Sequence, residues 1–300
     1  MTLLDPRDRR PVHFVGIAGA GMSALAELFA IRGVPVTGCD ANLGAGGDLR
    51  RVGATLYDGH DASHVQGARA LVVTSAMPRD HPELVRARDL GVPVIRRAEA
   101  LGEAVKGGTV IGIAGTHGKT STTVLATEAL VSAGLNPTGI GGGRVAAWKG
   151  NLRRGGDQVF VVEADEYDRS FLALTPTVAV VTNLEADHLD IYRDLEDIRG
   201  AFAQFVRPAR TIVLCADDPG ANSMRTPVTA EVIRYGTHSR DARHATLPAA
   251  QPLHEVTHRP LHVNATQVPP ASASASDASG TNGASAKPPS AMTPPSMTSA

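Results

Sequence analysis

Aromatic side chains are scarce in this 300-residue chain: one tryptophan, four tyrosines and six phenylalanines, 4% in all. Aliphatic residues must therefore fill its cores, and a hydrophobic fraction of 42% is enough for them. Excess charge is missing too. Lys and Arg number 29 against 30 Asp and Glu, a formal net charge of -1, so nothing in the balance argues for nucleic acid or an anionic membrane as a partner. No run reaches the ~18 apolar residues of a membrane-spanning helix. The opening Met-Thr-Leu-Leu-Asp-Pro-Arg-Asp-Arg-Arg lacks the apolar stretch of a signal peptide, and a cytoplasmic chain is expected. Cysteine is nearly absent. Cys39 and Cys215 sit in apolar, strand-like runs and read as buried thiols of a reducing compartment, neither a disulfide nor a metal site.

What the chain does contain is alternation. Across residues 12–105, short apolar runs (Val12–Ile17, Val34–Cys39, Leu71–Thr74, Val92–Ile95) interleave with helical patterns at Met22–Ile31, Pro82–Leu90 and Arg97–Val105. Such a series predicts a parallel sheet covered by helices. Gly107-Gly108 interrupts it, and a second α/β series follows with strands expected at Val110–Ala114, Gln158–Val162, Val178–Thr182 and Thr211–Cys215. The reading is an α/β protein with a Rossmann-like domain over 1–106, a phosphate-loop domain over 107–244 and a low-complexity tail over 245–300. The tail has no aromatic residue and almost no charge. It cannot bury enough apolar surface to offset chain entropy and is expected to be disordered. Within it, His254-Glu255-Val-Thr-His258 fits a zinc pattern that needs a helix. Pro252 and Pro260 flank it, so it reads as a chance match.

The most informative segment is Thr109-Val-Ile-Gly-Ile-Ala-Gly115-Thr116-His117-Gly118-Lys119-Thr120-Ser121. A β-branched run ends in a glycine turn that opens a helix from about Thr122. Backbone N–H groups at such a turn converge on one point, where the helix dipole adds positive potential. Lys119 adds a point charge, and Thr120 and Ser121 offer hydroxyls for magnesium. The general phosphate-loop pattern places a glycine where Ile113 stands; this is the tighter Gly-Thr-x-Gly-Lys-Thr form.

A second glycine turn lies earlier, in Gly16-Ile-Ala-Gly19-Ala20-Gly21-Met22-Ser23-Ala24, with Asp40 at the end of the next strand. A diphosphate on a helix N-terminus and a ribose on a carboxylate satisfy this geometry. NAD, a UDP-sugar and a merely structural turn all fit it. The ATP-type segment that follows favours a nucleotide-linked substrate over a redox cofactor.

Two further clusters sit just past expected strands, where ligands bind in open α/β sheets. Glu163-Ala-Asp165-Glu166-Tyr-Asp168 offers carboxylates, and Glu163, first off the strand, is the best magnesium candidate. In Asn183-Leu-Glu185-Ala-Asp187-His188, the histidine could bind a second metal or meet phosphate when protonated.

Four segments together, His13–Ser23, Gly115–Ser121, Glu163–Phe171 and Thr182–Asp190, resemble the Mur ligases of peptidoglycan synthesis in order and spacing over about residues 11–240. The resemblance implies an ATP- and Mg2+-dependent acid–amino-acid ligase. Its opening turn favours the member that joins L-alanine to UDP-N-acetylmuramate. The murein tripeptide-recycling member, and a non-catalytic fragment that binds nucleotide or UDP-sugar, remain alternatives. By resemblance, Gly115 to Ser121 cradle ATP, with Lys119 on the terminal phosphates. Thr120, Glu163 and His188 hold metal, and Lys119, Glu163 and His188 are the catalytic set. Gly19, Ala20, Gly21, Met22 and Ser23 face the UDP diphosphate, Asp40 the ribose, and Ser75 lines the same site. The likeness stops near Tyr235-Gly-Thr-His238. An adenine-holding His-Asn segment and an amino-acid-binding domain are not recognisable afterwards, so a C-terminally truncated member is expected.

Overall fold

Two sheets follow one another along the chain in the computed structural model, which describes residues 2–5, 7–45 and 47–237. The expected tail, His238 and the His254/His258 pattern lie outside the described residues. The first sheet contains β1 (Val12–Val15), β2 (Val36–Asp40), β3 (Thr55–Asp58), β4 (Ala70–Val73) and β5 (Val94–Arg96). Its order is β3-β2-β1-β4-β5, with every pair parallel. Central β1 and β4 are fully buried, and apolar but for His13, as strands covered by helices on both sides are. Helices α1 (Ala20–Ile31), α2 (Gly47–Arg51), α3 (Pro82–Leu90) and α4 (Arg97–Val105) connect them. Phe14 meets Phe29 of α1 edge-on at 5.5 Å on one face. On the other, Val15, Cys39, Leu71 and Val73 pack with Leu84 of α3.

The second sheet runs β12-β11-β10-β6-β9-β7-β8. Its strands are β6 (Thr109–Ala114), β7 (Thr138–Val145), β8 (Gly150–Arg153), β9 (Val159–Glu163), β10 (Val178–Val181), β11 (Thr211–Cys215) and β12 (Glu231–Tyr235). All neighbours are parallel except β7 and β8. Helices α5 (Lys119–Ser132), α6 (Leu195–Val206) and α7 (Pro219–Asn222) accompany it. Ile198, Ala201, Phe202 and Phe205 give α6 one buried stripe at helical spacing, and Asp194 caps it by accepting from Asp197 N at 2.8 Å.

The two sheets belong to one compact unit. Asn151 on β8 donates to Ala20 O at 2.7 Å, Arg154 pairs with Glu27 at 2.7 Å, and Arg144 pairs with Asp48 at 2.9 Å. These contacts fix the first glycine turn against the second sheet. Helices α1 and α5 begin at Ala20 and Lys119, earlier than the sequence pattern suggests, because the glycine turns lead straight into helical backbone. Cys215 is half-buried, not buried as expected, because Thr211, Val213 and Cys215 share the less covered face of β11.

Candidate active site

Strand β6 lies centrally between β10 and β9, and its C-terminal end turns at Gly115. There φ is +141°, and a Cβ would collide with Thr182 Oγ1, so only glycine fits. Gly118, at φ +79°, starts α5. The neighbouring crossover braces this loop. Thr116 Oγ1 accepts from Glu185 N at 3.0 Å. His117 N donates to Asn183 Oδ1 at 2.7 Å, and Thr182 Oγ1 donates to His117 O at 2.8 Å. The His117 amide is therefore spoken for, whereas the first-turn amides of α5, from Lys119 through Ser121, have no helical carbonyl to meet.

Lys119 is held at the mouth of this loop. Its Nζ donates to Gly115 O at 2.7 Å and to the two Glu166 carboxylate oxygens at 3.0 and 2.9 Å. The Glu166 side chain is only 3% exposed. His188 Nε2 stands 3.9 Å from Glu166 Oε1, and its ring meets Tyr167 edge-on at 5.2 Å. His188 adopts φ +52°, uncommon for a residue with a side chain. Tyr192 anchors the acidic loop by donating to Glu166 O at 2.6 Å.

Glu163 ends β9 and accepts from Gly142 N at 2.6 Å. Thr120 borders Gly143, the next residue of β7. Glu163 and Thr120 thus border two successive residues of β7, Gly142 and Gly143, while His188 lies in ion-pair reach of Glu166 and Asp187. Carboxylate and hydroxyl oxygens suit a hard cation such as magnesium, and an imidazole suits softer ions. Thr120 and Glu163 offer oxygen donors of that kind, and His188 offers an imidazole.

The first glycine turn faces the same region. Asp40 sits where the spacing places it, but its carboxylate already braces the turn, accepting from Ala18 N and Asn42 N, both at 2.9 Å. Met22 is buried, at 2% exposure, and Ser23 Oγ donates back to Ala20 O at 2.9 Å. Gly19, Ala20 and Gly21 present backbone. Arg97, opening α4, lies against Gly21. Burial lowers its pKa while the charges of Asp165 and Glu163 oppose that shift. Gly19, Gly21, Arg97, Gly142, Glu163 and Asp165 line one cavity of about 270 Å³. A second, of about 440 Å³, shares Thr74, Arg97 and Asp165 with it and includes Ser75 and Tyr167.

Sequence reasoning missed Arg97, and it named Glu166 and Asn183 within their clusters without giving either a role. Arg97 follows a strand directly and so lies at a sheet's C-terminal edge, a signal that was available. The pairing of Glu166 with Lys119 depends on a loop conformation that no spacing rule encodes.

Residues 11–109 match the model of the Mur ligase family, catalytic domain, and residues 113–265 match the Mur ligase middle domain. A curated relative, the UDP-N-acetylmuramate–L-alanine ligase of Salinispora arenicola, is 42% identical over 246 residues, covering 80% of this chain and 48% of that protein. Among solved structures, the UDP-N-acetylmuramate-alanine ligase of Thermotoga maritima superposes with a TM-score of 0.69 at 29% identity, over 76% of this chain and 53% of that one. The UDP-N-acetylmuramate:L-alanyl-gamma-D-glutamyl-meso-diaminopimelate ligase of Neisseria meningitides gives 0.68 at 29% identity, over 75% and 77%. The chain spans about half the length of the curated relatives it matches.

Proposed function

The chain belongs to the Mur ligase family, and from that premise we propose that it supplies the UDP-substrate and ATP sites of a ligase joining L-alanine to UDP-N-acetylmuramate. Residues 1–106 hold the UDP substrate and 107–244 hold ATP. The observation that carries this reading is the cavity where the first glycine turn, Arg97 and Glu163 meet, with Thr120 of the phosphate loop bordering Gly143 beside it. Two free thiols and nucleotide substrates favour the cytoplasm. Among the described residues no helix is long and apolar enough to cross a membrane.

A muramoyl carboxylate is a poor acyl donor. Its oxygen attacks the γ-phosphorus of ATP, the bond to ADP breaks, and an acyl phosphate forms. The amine of L-alanine then attacks the acyl carbon, phosphate leaves with the bonding electron pair, and the amine gives up a proton as the amide forms. Carboxylate and γ-phosphate are both anions and must approach. Lys119 and the N-terminus of α5 offset their repulsion. Lys119 exchanges Glu166 for the terminal phosphates, and His188, beside Glu166, contacts phosphate when protonated. Thr120 and Glu163 would hold magnesium, which neutralises phosphate charge when bound. The backbone of Gly19 to Ser23 and the guanidinium of Arg97 hold the UDP diphosphate. Asp40 accepts from the ribose with the lone pairs it has left, and Ser75 lines the adjoining cavity.

The test is calorimetry on the 300-residue chain with UDP-N-acetylmuramate and, separately, with ATP and magnesium. Both should bind. Binding of NAD with no response to the UDP-sugar would overturn the assignment of the first turn, and no response to ATP would overturn that of the second. The similar fit to the Neisseria structure favours a second reading, transfer to a tripeptide amine. Phosphate release that depends on L-alanine, and not on that tripeptide, selects the first.

A further inference from the structure

The face of the first sheet turned away from α1 carries a cluster that the ligase reading does not use. His13 of β1, Cys39 of β2, His64 of the turn after β3, and Glu83 of α3 converge there, with all their ligand atoms within 4.8 Å of one another. Glu83 is fully buried at the centre. Cys39 Sγ lies 3.0 Å and His64 Nδ1 2.9 Å from Glu83 Oε1, and His13 Nε2 lies 3.4 Å from the same oxygen. His60 and His81 stand at the rim, 3.5 and 3.7 Å from Glu83 Oε2.

The least satisfied member of the cluster is His13. It is 0% exposed, and its Nε2 points into the cluster with no close hydrogen bond, Glu83 Oε1 at 3.4 Å being its partner there. A weakly satisfied buried polar atom is costly. Its other nitrogen, Nδ1, is 2.8 Å from Thr37 Oγ1. If Nδ1–H donates to Thr37, Nε2 carries a bare lone pair aimed inward. Metal-binding histidines are oriented in this way, with the far N–H tied to an outer partner. Tyr57 stacks on the His64 ring at 4.4 Å and fixes it as well.

We propose that His13 Nε2, Cys39 Sγ, His64 Nδ1 and Glu83 form a structural zinc site. Bonds of about 2.0–2.3 Å to nitrogen, oxygen and sulfur in a tetrahedron place ligand atoms roughly 3.3–3.8 Å apart. The present separations from Glu83 need only small outward shifts. On binding, the Cys39 S–H gives its proton to solvent and the thiolate becomes a ligand. Such an ion would brace β1, β2 and α3 together. The sequence hid this site because its ligands come from four separate elements and form no short-spaced motif, so that Cys39 read as an inert thiol.

The test is titration of the metal-free 300-residue chain with Co2+, then Zn2+. One equivalent of Co2+ should give tetrahedral visible bands and a thiolate charge-transfer band, both lost when Zn2+ displaces it. Cys39→Ser should abolish the charge-transfer band and weaken Zn2+ binding by at least about 100-fold, more than the loss expected for an outer-shell partner. His13→Gln provides a second reading should Cys39→Ser misfold, and should weaken binding equally. A chain carrying His254→Ala and His258→Ala should bind as the parent does. Absence of the thiolate band, or binding lost with the tail histidines and kept in Cys39→Ser and His13→Gln, would overturn the proposal.

Discussion

Lys119 and Glu166 carry opposite charges 2.9 Å apart, with side chains 14% and 3% exposed. At an effective dielectric of about 20, unit charges at that distance attract by about 6 kcal/mol before desolvation is counted. Removing one partner of such a pair typically costs about 3–5 kcal/mol, because the other charge is left buried alone. The two truncations should not cost the same. Lys119→Met strands Glu166 beside the His188 ring, 3.9 Å away, and should cost about 3–5 kcal/mol. Glu166→Gln leaves Lys119 its acceptor at Gly115 O, 2.7 Å away, and should cost only about 1–3 kcal/mol. The double variant Lys119→Met/Glu166→Gln removes both charges and should be at least ~2 kcal/mol more stable than the sum of the singles implies. Urea unfolding of the full chain, followed by circular dichroism and by the lone tryptophan, Trp148, measures all four. Single variants within about 0.5 kcal/mol of the parent, or simple additivity, would refute the buried pair. The cycle also separates folding from function. The double variant should regain stability without regaining ATP affinity, because the cation that meets phosphate is gone.

Three further outcomes follow from the site geometry. Gly115→Ala forces a side chain into Thr182 at φ +141°; about 2–5 kcal/mol of lost stability and no detectable ATP binding should appear in thermal unfolding and calorimetry. Arg97→Met removes one charged donor from the cavity at Gly21, so UDP-N-acetylmuramate affinity should fall by about 10- to 150-fold, the equivalent of about 1.5–3 kcal/mol, with ATP affinity unchanged in the same calorimetric runs. Glu163→Gln keeps the carbonyl that accepts from Gly142 N but loses the charge, so the ATP titration should need a higher magnesium concentration, and an unchanged magnesium dependence would remove Glu163 from the metal set.

Much of this architecture was legible because its central strands obey local rules. The apolar runs at β1, β4, β6 and β10 read as buried strands, and α3 and α4 begin and end where the pattern places them. Four strands escaped, β3, β7, β8 and β12. Edge strands β3, Thr-Leu-Tyr-Asp, and β12, Glu-Val-Ile-Arg-Tyr, have no fully buried residue and no strict apolar–polar alternation, so periodicity is weak. Strand β7, Thr-Gly-Ile-Gly-Gly-Gly-Arg-Val, looks like a loop by composition, yet its glycines are small for a structural reason. A Cβ on Gly139 would press into Thr127 and Trp148, and one on Gly142 into the Glu163 carboxylate. The strand gives up its own side chains so that α5 and Glu163 can approach its backbone. Strand propensity therefore fails at the place where the second sheet meets the phosphate loop, as expected when local preference yields to a site. Ser23 and Met22 show the same logic from the opposite side. Both lie within a motif, but their side chains are turned into helix and core, so what the first turn offers a ligand is backbone, with the guanidinium of Arg97 supplied from a different helix.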